Sequence, residues 1–174
     1  LQMPRLVVAA EICEDLWVPA PPSVEHAMAG ATMIVNLSAG DEITGKDTYR
    51  RNLVTGQSAR LVCGYLYATA GEGESSSDLV FGGHNLIAEN GALLAEARRF
   101  ENQTVYGDID VNRLATERRK MTTFHVKGQE NYLKVEFNLF PRDTELTRTF
   151  PAHPFVPDAR QERDKRCDEI LTIQ

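Results

Sequence analysis

Arg5-Leu6-Val7-Val8-Ala9-Ala10-Glu11-Ile12-Cys13 is a β-branched apolar run that ends on a carboxylate and a thiol, as a buried strand does when it opens into a functional loop. Pro19, Pro21 and Pro22 then forbid regular structure. Ser23 is the expected N-cap of a helix whose apolar residues Val24, Ala27, Met28 and Ala31 recur at i, i+3, i+4 and i+7. A second apolar run, Met33–Leu37, follows at once. Two strands joined through a helix make a right-handed βαβ unit, and parallel strands bring their carboxyl ends to one edge of the sheet. Cys13 and the loop Ser38–Lys46 are therefore expected to face each other.

Outward from this unit the pattern repeats. Asp47 or Thr48 can cap a helix through about Arg60, and Cys63–Ala70 reads as a third strand. Gly71–Asp78, with Gly, Glu and three consecutive serines, reads as a loop. Beyond it Leu79–Phe81, His84–Glu89 and Ala92–Ala97 are short runs, and Asn90-Gly91 is a strong hairpin signal, so this half is expected to be antiparallel. Thr104–Asp110 predicts another strand, Asp110 a cap for a charged helix to about Lys120, and Tyr132–Leu139 a half-exposed strand from its alternation of Leu133, Val135, Phe137 and Leu139. From Pro141 the chain turns polar, and Pro151, Pro154 and Pro157 space an extended arm before a helix at about Arg160–Ile173. The fold class this spells is α/β.

The 174 residues are 42% hydrophobic, enough for one domain with a real core. A net charge of −6 lacks the positive field that holds nucleic acid or an anionic membrane. The longest apolar run, Leu6–Ala10, falls far short of the ~20 residues of a membrane helix, and no basic-then-apolar leader precedes it. The chain is expected to be soluble and cytoplasmic, without nucleic-acid or membrane partners. Because it opens on Leu1 and reaches a strand almost immediately, it reads as a piece of a longer protein.

Three widely spaced cysteines, Cys13, Cys63 and Cys167, argue against a disulfide framework or a zinc site. Cys13 is either a nucleophile at a strand end or a small buried hydrophobe; Cys63, inside a strand, is read as structural. Glu11, Glu14 and Asp15 have the wrong sign to favour a thiolate, so a reactive Cys13 needs a cation from elsewhere. Gly82-Gly83 beside His84 completes no phosphate-loop pattern and reads as backbone punctuation at a close approach. The four histidines are expected at the surface or locally bonded, and Arg118-Arg119-Lys120 as a solvated helix face.

Glu11-Ile12-Cys13-Glu14-Asp15-Leu16-Trp17 resembles the nucleophile segment of the nitrilase (carbon–nitrogen hydrolase) superfamily, in the version found in glutamine-dependent NAD synthetases. The resemblance continues in order through Asn36-Leu37-Ser38-Ala39 with Gly45-Lys46, then Tyr49-Arg50-Arg51 and Tyr65-Leu66-Tyr67-Ala68. It goes on through Asp78-Leu79-Val80-Phe81-Gly82-Gly83-His84 and Leu86-Ile87-Ala88-Glu89-Asn90-Gly91. His153-Pro154-Phe155-Val156-Pro157, Arg163, Arg166-Cys167 and Ile173-Gln174 resemble the arm that leads to the synthetase domain.

The resemblance implies an α-β-β-α sandwich, with residues 1–150 a partial glutaminase domain and 151–174 a linker arm to a synthetase domain. Cys13 is implied as the nucleophile of a Glu-Lys-Cys triad, with the Glu14 N–H as backbone oxyanion donor; the Lys and Glu are expected on strands preceding residue 1. Glutamine binding is implied for Gly40, where the family has a Ser, and for Lys46, which is placed to meet a carboxylate. No cofactor or metal is expected in this chain; ATP and magnesium belong to the synthetase domain, which would amidate deamido-NAD. With its sandwich incomplete the chain is expected to lack activity alone and to self-associate, most simply as a two-fold dimer. A non-catalytic assembly module and another amidase of the superfamily are the alternatives.

Overall fold

Val8–Ile12 (β1), Met33–Ser38 (β2) and Gly64–Thr69 (β3) lie side by side and parallel in a computed structural model that describes residues 6–140, 142–150 and 152–174. Arg5, Pro141 and Pro151, which the expected first strand and Pro-rich arm included, lie outside the described residues. Leu86–Glu89 (β4) and Ala92–Glu96 (β5) continue the sheet antiparallel, in the order β1-β2-β3-β4-β5. Asn90 (φ 46°) and Gly91 (φ 88°) take the left-handed turn that joins β4 to β5, as an Asn-Gly hairpin requires.

Ser23–Met28 (α1) and Lys46–Leu61 (α2) form the crossovers. Pro22 occupies the N-cap of α1 and Ser23 is already helical; its N–H bonds the Glu11 carboxylate at 2.8 Å and its hydroxyl accepts from Gln57 at 2.9 Å. Ser23 thus ties the helix layer to β1 instead of capping the turn. The second helix starts one residue before Asp47, because Gly45 (φ 83°) supplies the left-handed entry. Ile34, Tyr65, Tyr67 and Leu86 pack beneath the helices with Ala27, Val54 and Leu61, all nearly fully buried.

Val111–Lys120 (α3) is capped as expected, by the Asp110 carboxylate accepting from Arg113 N–H at 2.9 Å. The solvated face read into its basic run holds for Lys120, paired to Glu117 in the open, but not for Arg118. Arg118 is 9% exposed and donates to the carbonyls of Leu61 (2.9 Å) and Val62 (3.0 Å), satisfying the end of α2 with Phe124 against its guanidinium.

Thr104–Asp110 and Tyr132–Leu139 are not strands. The first runs over the sheet: Gly107 nears Ile87 and Leu94, Ile109 leaves no room for a side chain at Gly64, and Asp110 N–H bonds Glu89 at 2.6 Å. The second has the alternation of a strand, but among the described residues no strand pairs with it, and its Leu133 and Val135 are largely exposed. The described chain divides into two units, ending and beginning at Asp143 and Thr144. In the second, Arg160–Ile173 (α4) is helical as expected, and its Arg163 and Arg166 bond the carbonyls of Pro157, Asp158 and Phe155.

Candidate active site

Cys13 leaves β1 with φ 51°, a left-handed conformation costly for a residue with a side chain, and begins a short 3-10 helix, Cys13–Trp17. Asn36, fully buried in β2, holds it there: Oδ1 accepts from Cys13 N–H at 3.1 Å and Nδ2 reaches the Cys13 carbonyl at 3.4 Å. Asp15 folds back to accept from Ile12 N–H at 2.7 Å, so this carboxylate serves the turn. Glu11 is 2% exposed and engaged by Ser23 N–H and the Tyr65 hydroxyl. Burial, reinforced by the bond to Glu11, pushes the Tyr65 phenol far up. Two of the three carboxylates flanking Cys13 are therefore committed to the backbone or the core.

The loop after β2 does meet Cys13. Ser38 Oγ lies 3.6 Å from Cys13 Sγ and accepts from the Tyr67 hydroxyl at 2.6 Å and from Gly40 N–H at 3.3 Å. Gly40 has room for a side chain: a Cβ there would sit 3.7 Å from Ser38 Oγ and 3.8 Å from Lys46 Nζ. Lys46 opens α2 with its side chain 16% exposed, its ammonium 5.3 Å from the Trp17 ring centroid and 2.7 Å from both the carboxylate and the carbonyl of Asp41. The hydrogen bond from Lys46, and then its charge, hold the Asp41 carboxyl below the usual carboxylate range. Trp17 in turn stacks on Tyr49, ring centroids 5.3 Å apart.

Glu42 anchors the same loop. Its N–H bonds Val80 O at 2.7 Å, and its carboxylate faces Arg99 at 3.4 Å and Arg50 at 3.1 Å, the latter without hydrogen-bond alignment. A side chain at Gly82 would collide with this carboxylate, so that glycine marks a close approach as its sequence context implies. Arg50, fully buried, donates to His84 Nδ1 at 2.8 Å. Since a guanidinium cannot accept, the ring proton stands on Nε2, which donates to Glu96 at 2.6 Å. Burial favours protonated Glu96, but hydrogen bonds from Arg51 and His84 outweigh it and hold the carboxyl low. Arg51, His84 and Glu96 border a cavity of about 530 Å³ whose charges are already paired, and Cys13 is not among its lining residues.

Cys13, Gly40 and Lys46, singled out from the sequence, are thus brought together at one sheet edge, with Glu14 next in the 3-10 helix. Sequence reasoning gave no role to Ser38, Tyr67 or Asn36. The available signal was strand alternation: Asn36 and Ser38 share a face of β2, and Tyr67 stands beside Asn36 in register. His26 is bonded to Tyr132 at 2.7 Å and to Ala10 O at 3.0 Å, partners distant in sequence. Among the described residues no three His, Cys, Asp or Glu side chains are grouped to hold a metal ion, and no helix is long and apolar enough to cross a membrane.

Residues 1–119 match the family model described as carbon-nitrogen hydrolase. The chain is 42% identical over 182 residues to a glutamine-dependent NAD(+) synthetase from Mycobacterium tuberculosis, covering 99% of this chain and 27% of that protein. It therefore spans about a quarter of the length of that relative. Two solved structures share the fold. A carbon-nitrogen hydrolase from Helicobacter pylori is 18% identical with TM-score 0.55, over 65% of this chain and 43% of the other. A Saccharomyces cerevisiae member of the nitrilase superfamily is 20% identical with TM-score 0.55, over 72% of this chain and 44% of the other.

Proposed function

Because the chain belongs to the carbon-nitrogen hydrolase family, we propose that it is the nucleophile-bearing part of a glutaminase unit within a glutamine-dependent NAD synthetase. The observation that carries this reading is the meeting of Cys13, held in a left-handed turn, with Ser38, Gly40 and Lys46 at the carboxyl edge of β1 and β2. In the proposed reaction the Cys13 thiolate attacks the side-chain amide carbon of glutamine. The resulting oxyanion is held by the Glu14 N–H and by a lysine from a segment preceding Leu1. A glutamate from that segment gives the leaving nitrogen its proton, so that the C–N bond breaks and ammonia departs. Water then cleaves the thioester and restores the thiol. Lys46 and the Gly40 backbone would receive the amino-acid end of glutamine.

In this reading residues 1–150 are part of the glutaminase domain and 151–174 an arm to a synthetase domain, where ATP and magnesium drive amidation of deamido-NAD. The test is ammonia release from glutamine. The isolated chain is expected near background, and in the full-length protein Cys13→Ala should abolish glutamine-supported but spare ammonia-supported NAD formation. Glutamine-supported synthesis surviving Cys13→Ala would overturn the reading.

A further inference from the structure

The hydroxyl of Ser38 has two lone pairs and one proton, and its surroundings account for each. Tyr67 donates to Ser38 Oγ at 2.6 Å and Gly40 N–H donates at 3.3 Å, which occupies the acceptor capacity. The remaining proton has Cys13 Sγ 3.6 Å away, within reach of a hydrogen bond to sulfur. The reverse arrangement, with Ser38 donating to Tyr67, would leave the phenol proton in need of an acceptor. Tyr67 is 2% exposed, and the guanidinium of Arg50 above its ring is a donor with no acceptor to offer. We propose that Ser38 is a catalytic residue whose hydroxyl donates to the Cys13 thiolate, and that Tyr67 and the Gly40 N–H are the groups that aim it.

The proposal deepens the glutaminase reading and rests on it for the word catalytic; the hydrogen bond itself does not. A hydroxyl directed at sulfur stabilises the anion more than the thiol, because a hydrogen bond to a charged acceptor is the stronger one. It is also assembled before substrate arrives, from strands already locked in register. Other charged groups near the pair are engaged or turned to solvent. Asp15 accepts from Ile12 N–H, Lys46 and Asp41 hold each other, Arg50 serves His84 and Glu42, and Glu14 is exposed. Among the described residues, Ser38 therefore supplies a polar hydrogen aimed at the sulfur.

The experiment is site-resolved alkylation with iodoacetamide across pH 6–10, each cysteine followed by peptide mass spectrometry in the intact chain. Exposed Cys167 is the internal reference and buried Cys63 the folding control. Ser38→Ala should move the half-maximal pH for Cys13 labelling upward and slow labelling near neutrality by about tenfold, the scale of a lost charge-assisted hydrogen bond. Tyr67→Phe should act in the same direction by less, and Ser38→Thr, which keeps the hydroxyl, should restore the profile. Cys167 should label alike in all variants, with Cys63 protected. An unmoved Cys13 profile in Ser38→Ala, or equal shifts in Ser38→Ala and Ser38→Thr, would overturn the proposal. Since alkylation requires no turnover, failure of glutamine hydrolysis in the full-length protein would strike the glutaminase reading and leave this measurement standing.

Discussion

The side-chain amide of Asn36 spans the peptide groups of Cys13, accepting from its N–H and donating toward its carbonyl, while the same Nδ2 lies 3.3 Å from the Tyr65 hydroxyl. A left-handed cysteine is an expensive conformation, and this clamp makes it the one in which the local polar groups are paired. The position of the thiol is thereby set by β2, not by the loop that carries it.

Removing the clamp should release the turn. Asn36→Ala leaves a part-buried N–H without its partner and is expected to cost about 1–3 kcal/mol in urea unfolding. An unfolding midpoint equal to that of the parent chain would show that Cys13 holds its own conformation.

The buried guanidinium of Arg50 faces Glu42, whose side chain is 3% exposed, and these two groups fix the loop carrying Gly40 and Asp41. Arg50→Met should destabilise by about 1–3 kcal/mol, because the buried Glu42 carboxylate is then left to Arg99 and His84 Nδ1 loses its donor. The double variant Arg50→Met/Glu42→Gln should regain part of the loss. A double variant less stable than Arg50→Met would refute the pairing.

Burial pushes the Cys63 thiol up to about 12, with the charge of Arg118 offsetting a little of the effect. The folded state then keeps this proton at a pH where the unfolded chain has lost it, so the unfolded state binds fewer protons and stability falls as pH rises above the ordinary thiol range near 8.5. Between pH 9 and 10 the contribution approaches about 1.4 kcal/mol per pH unit. Cys63→Ala should flatten that slope in urea titrations at pH 8, 9 and 10, and an unchanged slope would assign it to other groups.

The parallel-then-antiparallel order was legible because each parallel strand is a short apolar run with a helix between it and the next, and because Asn90-Gly91 admits little but a hairpin. Tyr132–Leu139 was misread because alternation describes side chains, whereas a strand needs a neighbouring backbone. Arg118 was misread because a basic run looks the same whether its guanidinium meets water or the carbonyls at the end of α2. At the site, Cys13 and Lys46 carry motif signals. Ser38 and Tyr67 acquire meaning when register brings β2 and β3 together, and that is tertiary information.

One face of the sheet bears Val8 and Ile12 on β1 opposite Met33 and Leu37 on β2, with Ile12 64% and Leu37 62% exposed. So continuous an apolar surface favours association, and sheet-on-sheet packing is its natural form. Sedimentation at micromolar concentration is expected to give a species larger than the monomer, shifted toward the monomer by Leu37→Glu. A monomer that binds no hydrophobic dye would remove this face from consideration.

Asp41 takes two of the three N–H donors of the Lys46 ammonium, through its carboxylate and its carbonyl. The ammonium lies 2.7 Å from that carboxylate, whose protonation is held below the usual range by the Lys46 hydrogen bond and charge, so the pair persists at neutral pH and into mild acid. If Lys46 receives the glutamine carboxylate as proposed, Asp41 is its internal competitor. The Asp41 carboxylate is open to solvent, which screens the pair, so the competition is modest. In the full-length protein Asp41→Asn should lower the KM for glutamine by about two- to fivefold with little change in kcat, since uniform binding is what improves. Lys46→Met should raise KM whichever residue stands at 41. If Asp41→Asn leaves KM unchanged while Lys46→Met raises it, Asp41 does not compete for the ammonium; if neither variant moves KM, Lys46 does not bind the substrate at all.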